Sequence, residues 1–100
     1  QVPLLPGISE LVSKGFVTGA SERNLKSFQE KISFISKLNV AEKNILFDPQ
    51  TSGGLLVSVE KHHVDNTLEI FRNKGFSAAE IGEVVNKSSN IPKILIQTEI

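Results

Sequence analysis

Leu55-Leu56-Val57-Ser58-Val59, followed after Glu60 by Lys61-His62-His63-Val64-Asp65-Asn66-Thr67-Leu68-Glu69-Ile70-Phe71-Arg72-Asn73-Lys74-Gly75, is the stretch in which the hydrophobic period changes most clearly. Residues 55–59 are a nearly continuous apolar run of strand length, as a strand covered on both faces requires. Over residues 61–74, Val64, Leu68 and Phe71 recur at helical spacing, and Gly75 stands just past the last turn, where a left-handed closing residue is wanted. Residues 79–85 read as a second strand, with Gly82 marking a bulge or a close backbone approach. Asn86-Lys87-Ser88-Ser89-Asn90 is turn chemistry. The end of the chain alternates, with Ile94, Ile96, Thr98 and Ile100 on one face and Leu95, Gln97 and Glu99 on the other. A helix crossover predicts that the first two strands run parallel with a right-handed connection, and the short turn predicts an antiparallel last pair. The expected fold class is α+β, a layered α/β sandwich with a mixed sheet.

Upstream, Val2-Pro3-Leu4-Leu5-Pro6-Gly7 carries two prolines that hold the preceding residues extended, so it reads as a strand end running into a turn. A short helix over residues 8–14 follows, with Ile8, Leu11 and Val12 on one face and Gly15 closing it. Residues 16–20 read as a linker, and Ser21 is placed to cap a second helix whose buried side is Leu25 and Phe28. Ile32-Ser33-Phe34-Ile35 is too brief to separate a strand from the tail of that helix. Asn39 caps a third helix over residues 40–46, which the Asp48-Pro49 step ends because proline has no amide to donate.

One hundred residues suffice for a single core, and no repeat or composition shift marks an internal boundary, so residues 1–100 read as one domain. The 39% apolar and 22% charged content is that of an ordinary globular chain. The 11 basic and 11 acidic side chains cancel, which argues against a nucleic-acid partner. No apolar run approaches the ~20 residues of a membrane-spanning helix, so no membrane partner is expected. Cysteine is absent, which removes disulfides, thiolate nucleophiles and cysteine metal sites from these residues. Methionine is absent too, and the opening Gln1-Val2-Pro3 lacks signal-peptide character; loss of a leader and excision from a longer polypeptide both account for it.

Polar chemistry concentrates in residues 48–54: Asp48, Gln50, Thr51, Ser52, Gly53 and Gly54 supply a carboxylate, an amide, two hydroxyls and two glycines. Those groups suit a phosphate, but the glycines lead into a strand, whereas the common phosphate loops lead into a helix whose amino end faces the anion. By residue type alone, a structural turn accounts for them. His62 and His63 are adjacent, and on a helix they point about 100° apart, which favours solvated rings over a shared ion. Asp65 and Glu69 share a helix face and read as a solvated surface pair. No nucleophile, base and orienting acid can be assembled, so no catalytic residue and no metal ligand is assigned.

The nine contiguous residues Asp48-Pro49-Gln50-Thr51-Ser52-Gly53-Gly54-Leu55-Leu56 are similar to the signature of the selenophosphate synthetases, the selenide, water dikinases. Leu5-Pro6-Gly7 lies upstream in the right order, Ser21-Glu22-Arg23-Asn24 resembles the family's segment before a helix, and Ile81-Gly82-Glu83-Val84 its segment after the last long helix. The resemblance runs from residue 2 to about residue 85, and it departs at Val17-Thr18-Gly19-Ala20, where the family more often has a proline and paired glycines.

The resemblance implies an enzyme that uses ATP and Mg²⁺ to phosphorylate selenide, yielding selenophosphate, AMP and phosphate for selenoprotein and selenium-modified tRNA synthesis. It implies a cytoplasmic homodimer of the aminoimidazole ribonucleotide synthetase superfamily, whose carboxy-terminal α/β sandwich lies beside an ATP-binding domain. The family's catalytic cysteine or selenocysteine, lysine and metal-binding aspartates lie upstream of anything matching Gln1. The chain is therefore expected to be an incomplete carboxy-terminal domain, inactive and without a cofactor by itself, partnered by the upstream ATP-binding domain. Asp48, Gln50, Thr51, Ser52, Gly53 and Gly54 would then line the substrate cleft. The alternative is a free-standing small α+β binding or interaction module that shares the fold.

Overall fold

A computed structural model describes residues 2–87 and 93–97. The chain forms two compact units, one of Leu5–Thr51 with Val85–Ile100, the other of Ser52–Val84 with Gln1–Leu4.

In the first unit, α1 (Ile8–Ser13) follows Gly7, whose φ of 82° makes the turn out of the proline-rich opening. It closes as the glycine spacing predicts. Gly15 has φ 90°, its amide donates to the Val12 carbonyl at 3.0 Å, and the Phe16 amide reaches back to Leu11 at 3.1 Å. These two bonds satisfy carbonyls that the end of a helix leaves without partners. The second helix, α2, spans Gly19–Phe28, so Gly19 and Ala20 are helical and not linker. Its cap is Thr18, with no side-chain cap bond, and not Ser21. The physical reason is burial: Ser21 is only 1% exposed and its hydroxyl is turned inward to other partners. Leu25 is half-buried as expected, but Phe28 is exposed at the helix end, with the Lys31 ammonium 5.8 Å from its ring centre.

A 3₁₀ turn, Gln29–Lys31, leads into β1 (Ile32–Phe34), so the ambiguous segment is a strand. Asn39 caps α3 (Val40–Leu46) through a reciprocal pair of bonds: its side-chain oxygen accepts from the Glu42 amide at 2.9 Å, and the Glu42 carboxylate accepts from the Asn39 amide at 2.7 Å. Such a pair satisfies two of the free donors at a helix start. The helix α3 packs against both α1 and α2. Near the chain end, β2 (Ile94–Ile96) pairs with β1, Ile32 opposite Ile94 and Phe34 opposite Ile96. This pairing is parallel, where an antiparallel pairing with residues 79–85 was expected; a parallel pair needs a crossover of a dozen or more residues, and the chain from β1 to β2 is long enough. Thr98 and Ile100, and Ser88, Ser89 and Asn90 of the expected turn, lie outside the described residues.

The second unit holds the helix expected over residues 61–74. Its first turn, Lys61–His63, is 3₁₀ and continues as α4 (Val64–Asn73), with Val64, Leu68 and Phe71 on the half-buried face. Gly75 closes it with φ 83°; its amide donates to the Arg72 carbonyl at 2.9 Å and that of Phe76 to Phe71 at 3.1 Å. The rings of Phe71 and Phe76 meet edge to face at 6.4 Å, the apolar contact that accompanies this closure. Arg72 then donates from Nε and Nη2 to the Ala78 carbonyl at 3.1 and 2.9 Å, fixing the chain beyond the helix. Residues 55–59 and 79–85 are not strands, contrary to the expectation from their composition. A strand exists only through a ladder partner, and among the described residues these segments have none; their apolar side chains are open as well, with Leu55 85% and Val84 90% exposed.

The chain is thus α+β, with helices and a two-stranded parallel sheet among the described residues. Among the described residues little is buried: Leu38 and Ser21 are the buried ones. No helix of the described residues is long and apolar enough to cross a membrane.

The closure at Gly75 gives a direct test. A Cβ there meets no atom within 4 Å, so the cost of a side chain is conformational and not steric. Gly75→Val is expected to destabilise the chain by about 1 kcal/mol or more in denaturant unfolding; an unchanged midpoint would contradict this closure.

Candidate functional site

The loop of residues 48–54 begins where α3 stops. Phe47 closes that helix, its amide donating to the Lys43 carbonyl at 3.2 Å, and the Asp48 amide reaches the Ile45 carbonyl at 3.4 Å. Pro49 then removes the next donor, so the helix cannot continue. Two side chains of α2 hold this point. Asn24 donates from Nδ2 to the Phe47 carbonyl at 3.0 Å, and the Ser21 hydroxyl donates to Asp48 Oδ1 at 3.4 Å while lying 3.3 Å from the Thr18 hydroxyl. Phe47 is fixed from the other side by an edge contact with Phe34 of β1, 6.5 Å between ring centres, and Lys43 lies 4.8 Å over the Phe34 ring. The start of the loop is therefore tied to α2, α3 and β1 at once.

By sequence Ser21 reads as a helix cap, and Asn24 carries no role of its own. The signal was present in the quoted Ser21-Glu22-Arg23-Asn24 segment, since Ser21 and Asn24 are three apart and share a helix face. What it did not show was the partner, which lies 27 positions away for Ser21 and 23 for Asn24.

Beyond this anchor the site residues are open. Asp48, Gln50 and Thr51 belong to the first unit and are exposed; Ser52, Gly53 and Gly54 belong to the second and are exposed as well. Thr51 and Ser52 form a turn. Gly54 does not have a left-handed φ, and a Cβ on it would meet nothing within 4 Å. Neither backbone conformation nor crowding within the chain demands glycine at that position. A groove of about 590 Å³ lies elsewhere, between α2 and α3, lined by Val17, Glu22, Leu25, Lys26, Val40 and Lys43 and by none of the loop residues.

Among the described residues, one group of three side chains has metal-ligand chemistry, Glu60 with His62 and His63, all exposed. Asp65 and Glu69 do not join it. Mg²⁺ takes oxygen ligands in near-ideal octahedral geometry. The two imidazoles of that group do not suit it, and Asp48 is not a member, its Oδ1 accepting from Ser21. Among the described residues, the Glu60, His62 and His63 group does not fit Mg²⁺.

Residues 6–94 match the family described as AIR synthase related protein, C-terminal domain. The chain belongs to this family. The matched segment includes the whole anchored loop, along with both helices that hold it and the paired strands as far as Ile94. Within the family, the chain is similar to proteins named selenide, water dikinase. It is 42% identical to that of Pseudomonas straminea over 97 residues, 96% of this chain and 26% of the relative. It is 41% identical to that of Burkholderia pseudomallei over 91 residues, 90% of this chain and 26% of the relative, and 36% identical to that of Haemophilus influenzae over 90 residues. The chain spans about a quarter of the length of the curated relatives it matches. No solved structure gives a significant match.

Ser21 and Asn24 anchor the loop, so each alanine substitution removes a part-buried hydrogen bond. Ser21→Ala and Asn24→Ala are each expected to lower stability by about 1 kcal/mol. Unfolding midpoints equal to the parent in both variants would show that the contacts contribute nothing.

Proposed function

We propose that this chain is the carboxy-terminal domain of an enzyme that transfers a phosphoryl group from ATP to selenide, producing selenophosphate for selenoprotein and selenium-modified tRNA synthesis. The observation that carries this reading is identity above 40% to proteins named selenide, water dikinase over nearly the whole chain. With it goes an upstream ATP-binding domain as partner, a homodimer, cytoplasmic location, and ATP with Mg²⁺ as the cofactors of the whole enzyme. In the proposal residues 1–100 form one domain of an α/β sandwich with a mixed sheet. What supports the larger sheet is the unpartnered apolar character of residues 55–59 and 79–85: Leu55, Leu56, Val84 and Val85 are each more exposed than an isolated small domain should leave them. Backbone from the rest of the enzyme would complete the ladders these segments lack.

Asp48, Gln50, Thr51, Ser52, Gly53 and Gly54 line the substrate cleft in this proposal, with a positional and not a covalent part in the reaction. The support is the contrast between a firmly anchored start and an exposed, uncrowded remainder, since Gly54 leaves room for another group to approach its backbone. An anchored polar loop can present amides and hydroxyls to charge that develops during phosphoryl transfer, and in such reactions positioning supplies most of the catalysis.

Two measurements test the proposal. In the full-length enzyme, Thr51→Val and Ser52→Ala remove hydroxyls and keep the backbone options, so each is expected to lower the rate of AMP formation about tenfold with stability within about 1 kcal/mol of the parent. Normal turnover in both would end the functional assignment of the loop. Separately, the hundred-residue chain alone, given ATP, Mg²⁺ and selenide, is expected to form no AMP above a protein-free control; AMP formation by it would contradict the assignment of catalysis to the remainder of the enzyme.

A further inference from the structure

Glu60, His62 and His63 bring one carboxylate and two imidazoles together at the start of the helix in the second unit. Glu60 is extended, with φ −64° and ψ 144°, and turns the chain into the 3₁₀ segment Lys61–His63. In that turn the two imidazole rings lie 4.0 Å apart with their planes at 43°, so the divergence expected of adjacent residues on a regular helix does not occur. His62 Nε2 is 3.4 Å from a Glu60 carboxylate oxygen, and one ligand atom from each of the three residues falls within 4.8 Å of the others. None of the three side chains is held by packing, since all are exposed.

From this geometry we propose a surface site for a divalent transition-metal ion, of the Zn²⁺ class, held by Glu60, His62 and His63. Metal to nitrogen and oxygen distances in such sites are about 2.0–2.2 Å, so the ligand atoms need to converge to roughly 3.5 Å of one another. Free rotation of exposed side chains supplies that movement. Two imidazoles and a carboxylate are a donor set for Zn²⁺ and its neighbours in the transition series and not for Mg²⁺, which selects oxygen. The amino end of a helix disfavours a cation, and the negative charge of Glu60 offsets this. Three protein ligands leave a fourth position open to water or to a small anionic ligand. The site belongs entirely to the second unit and does not depend on the phosphotransferase assignment.

His62 and His63 are the only histidines in the chain, which makes the test specific. Zn²⁺ is titrated into the chain by calorimetry while the ring resonances of both histidines are followed by NMR. Saturable one-site binding is expected, with both rings shifting together and excess Mg²⁺ failing to displace the ion. Since even outer-sphere partners of a bound metal are worth about tenfold or more, His62→Ala and His63→Ala should each weaken binding at least tenfold, and Glu60→Gln should weaken it as well. Melting of the metal-free variants should match the parent, because the side chains are exposed. Absence of saturable binding, displacement by Mg²⁺, or parental affinity in any one of the three variants would overturn the site.

Discussion

The end of α3 is held by the side chains of α2, and the first unit depends on that attachment. Asn24 to the Phe47 carbonyl and Ser21 to Asp48 join segments more than twenty residues apart. They do so at the point where a helix runs out of internal partners for its carbonyls. With so little of the described chain buried, packing alone fixes few positions, and directed bonds carry more of the specificity. The edge contact of Phe47 with Phe34 brings the paired strands into the same arrangement. A change at Ser21 is therefore felt at the first residue of the polar loop, although the two lie on different elements.

Helices were legible because their signals are local. Asn39 announced a capped helix, to which the structure adds the reciprocal bond of Glu42, and Gly15 and Gly75 announced closures, in which the structure folds the following phenylalanine back. Strands were legible only as composition. The apolar run of residues 55–59 has the residues of a covered strand, but a ladder requires a second segment, and sequence does not state which segment that is. For the same reason β2 was expected beside residues 79–85 and lies instead beside β1, parallel and not antiparallel. Ser21 was misread because a serine near a helix start is most often a cap, and its actual partner is remote in sequence.

The candidate site divides along the same line. Its proposed members, Asp48 to Gly54, rest on a concentration of polar groups and glycines in the sequence, and they lie within the segment the family match covers. Its anchoring was not visible, because that resides in α2. On the proposed function this division has a chemical meaning: the anchored residues set where the loop begins, and the exposed hydroxyls and amides that follow are free to meet a substrate. Glycine at position 54, which the chain itself does not need, fits a surface that another part of a larger enzyme approaches.

Membership of the family is established by the match over residues 6–94, and the central claim is that this sequence performs the part that the corresponding quarter of a selenide, water dikinase performs. The most direct test is an exchange: this chain replaces its counterpart in the Pseudomonas straminea relative, and selenophosphate formation from ATP and selenide is followed by ³¹P NMR. A functional equivalent gives a folded chimera that makes selenophosphate. A folded chimera that binds ATP but makes none would contradict the claim.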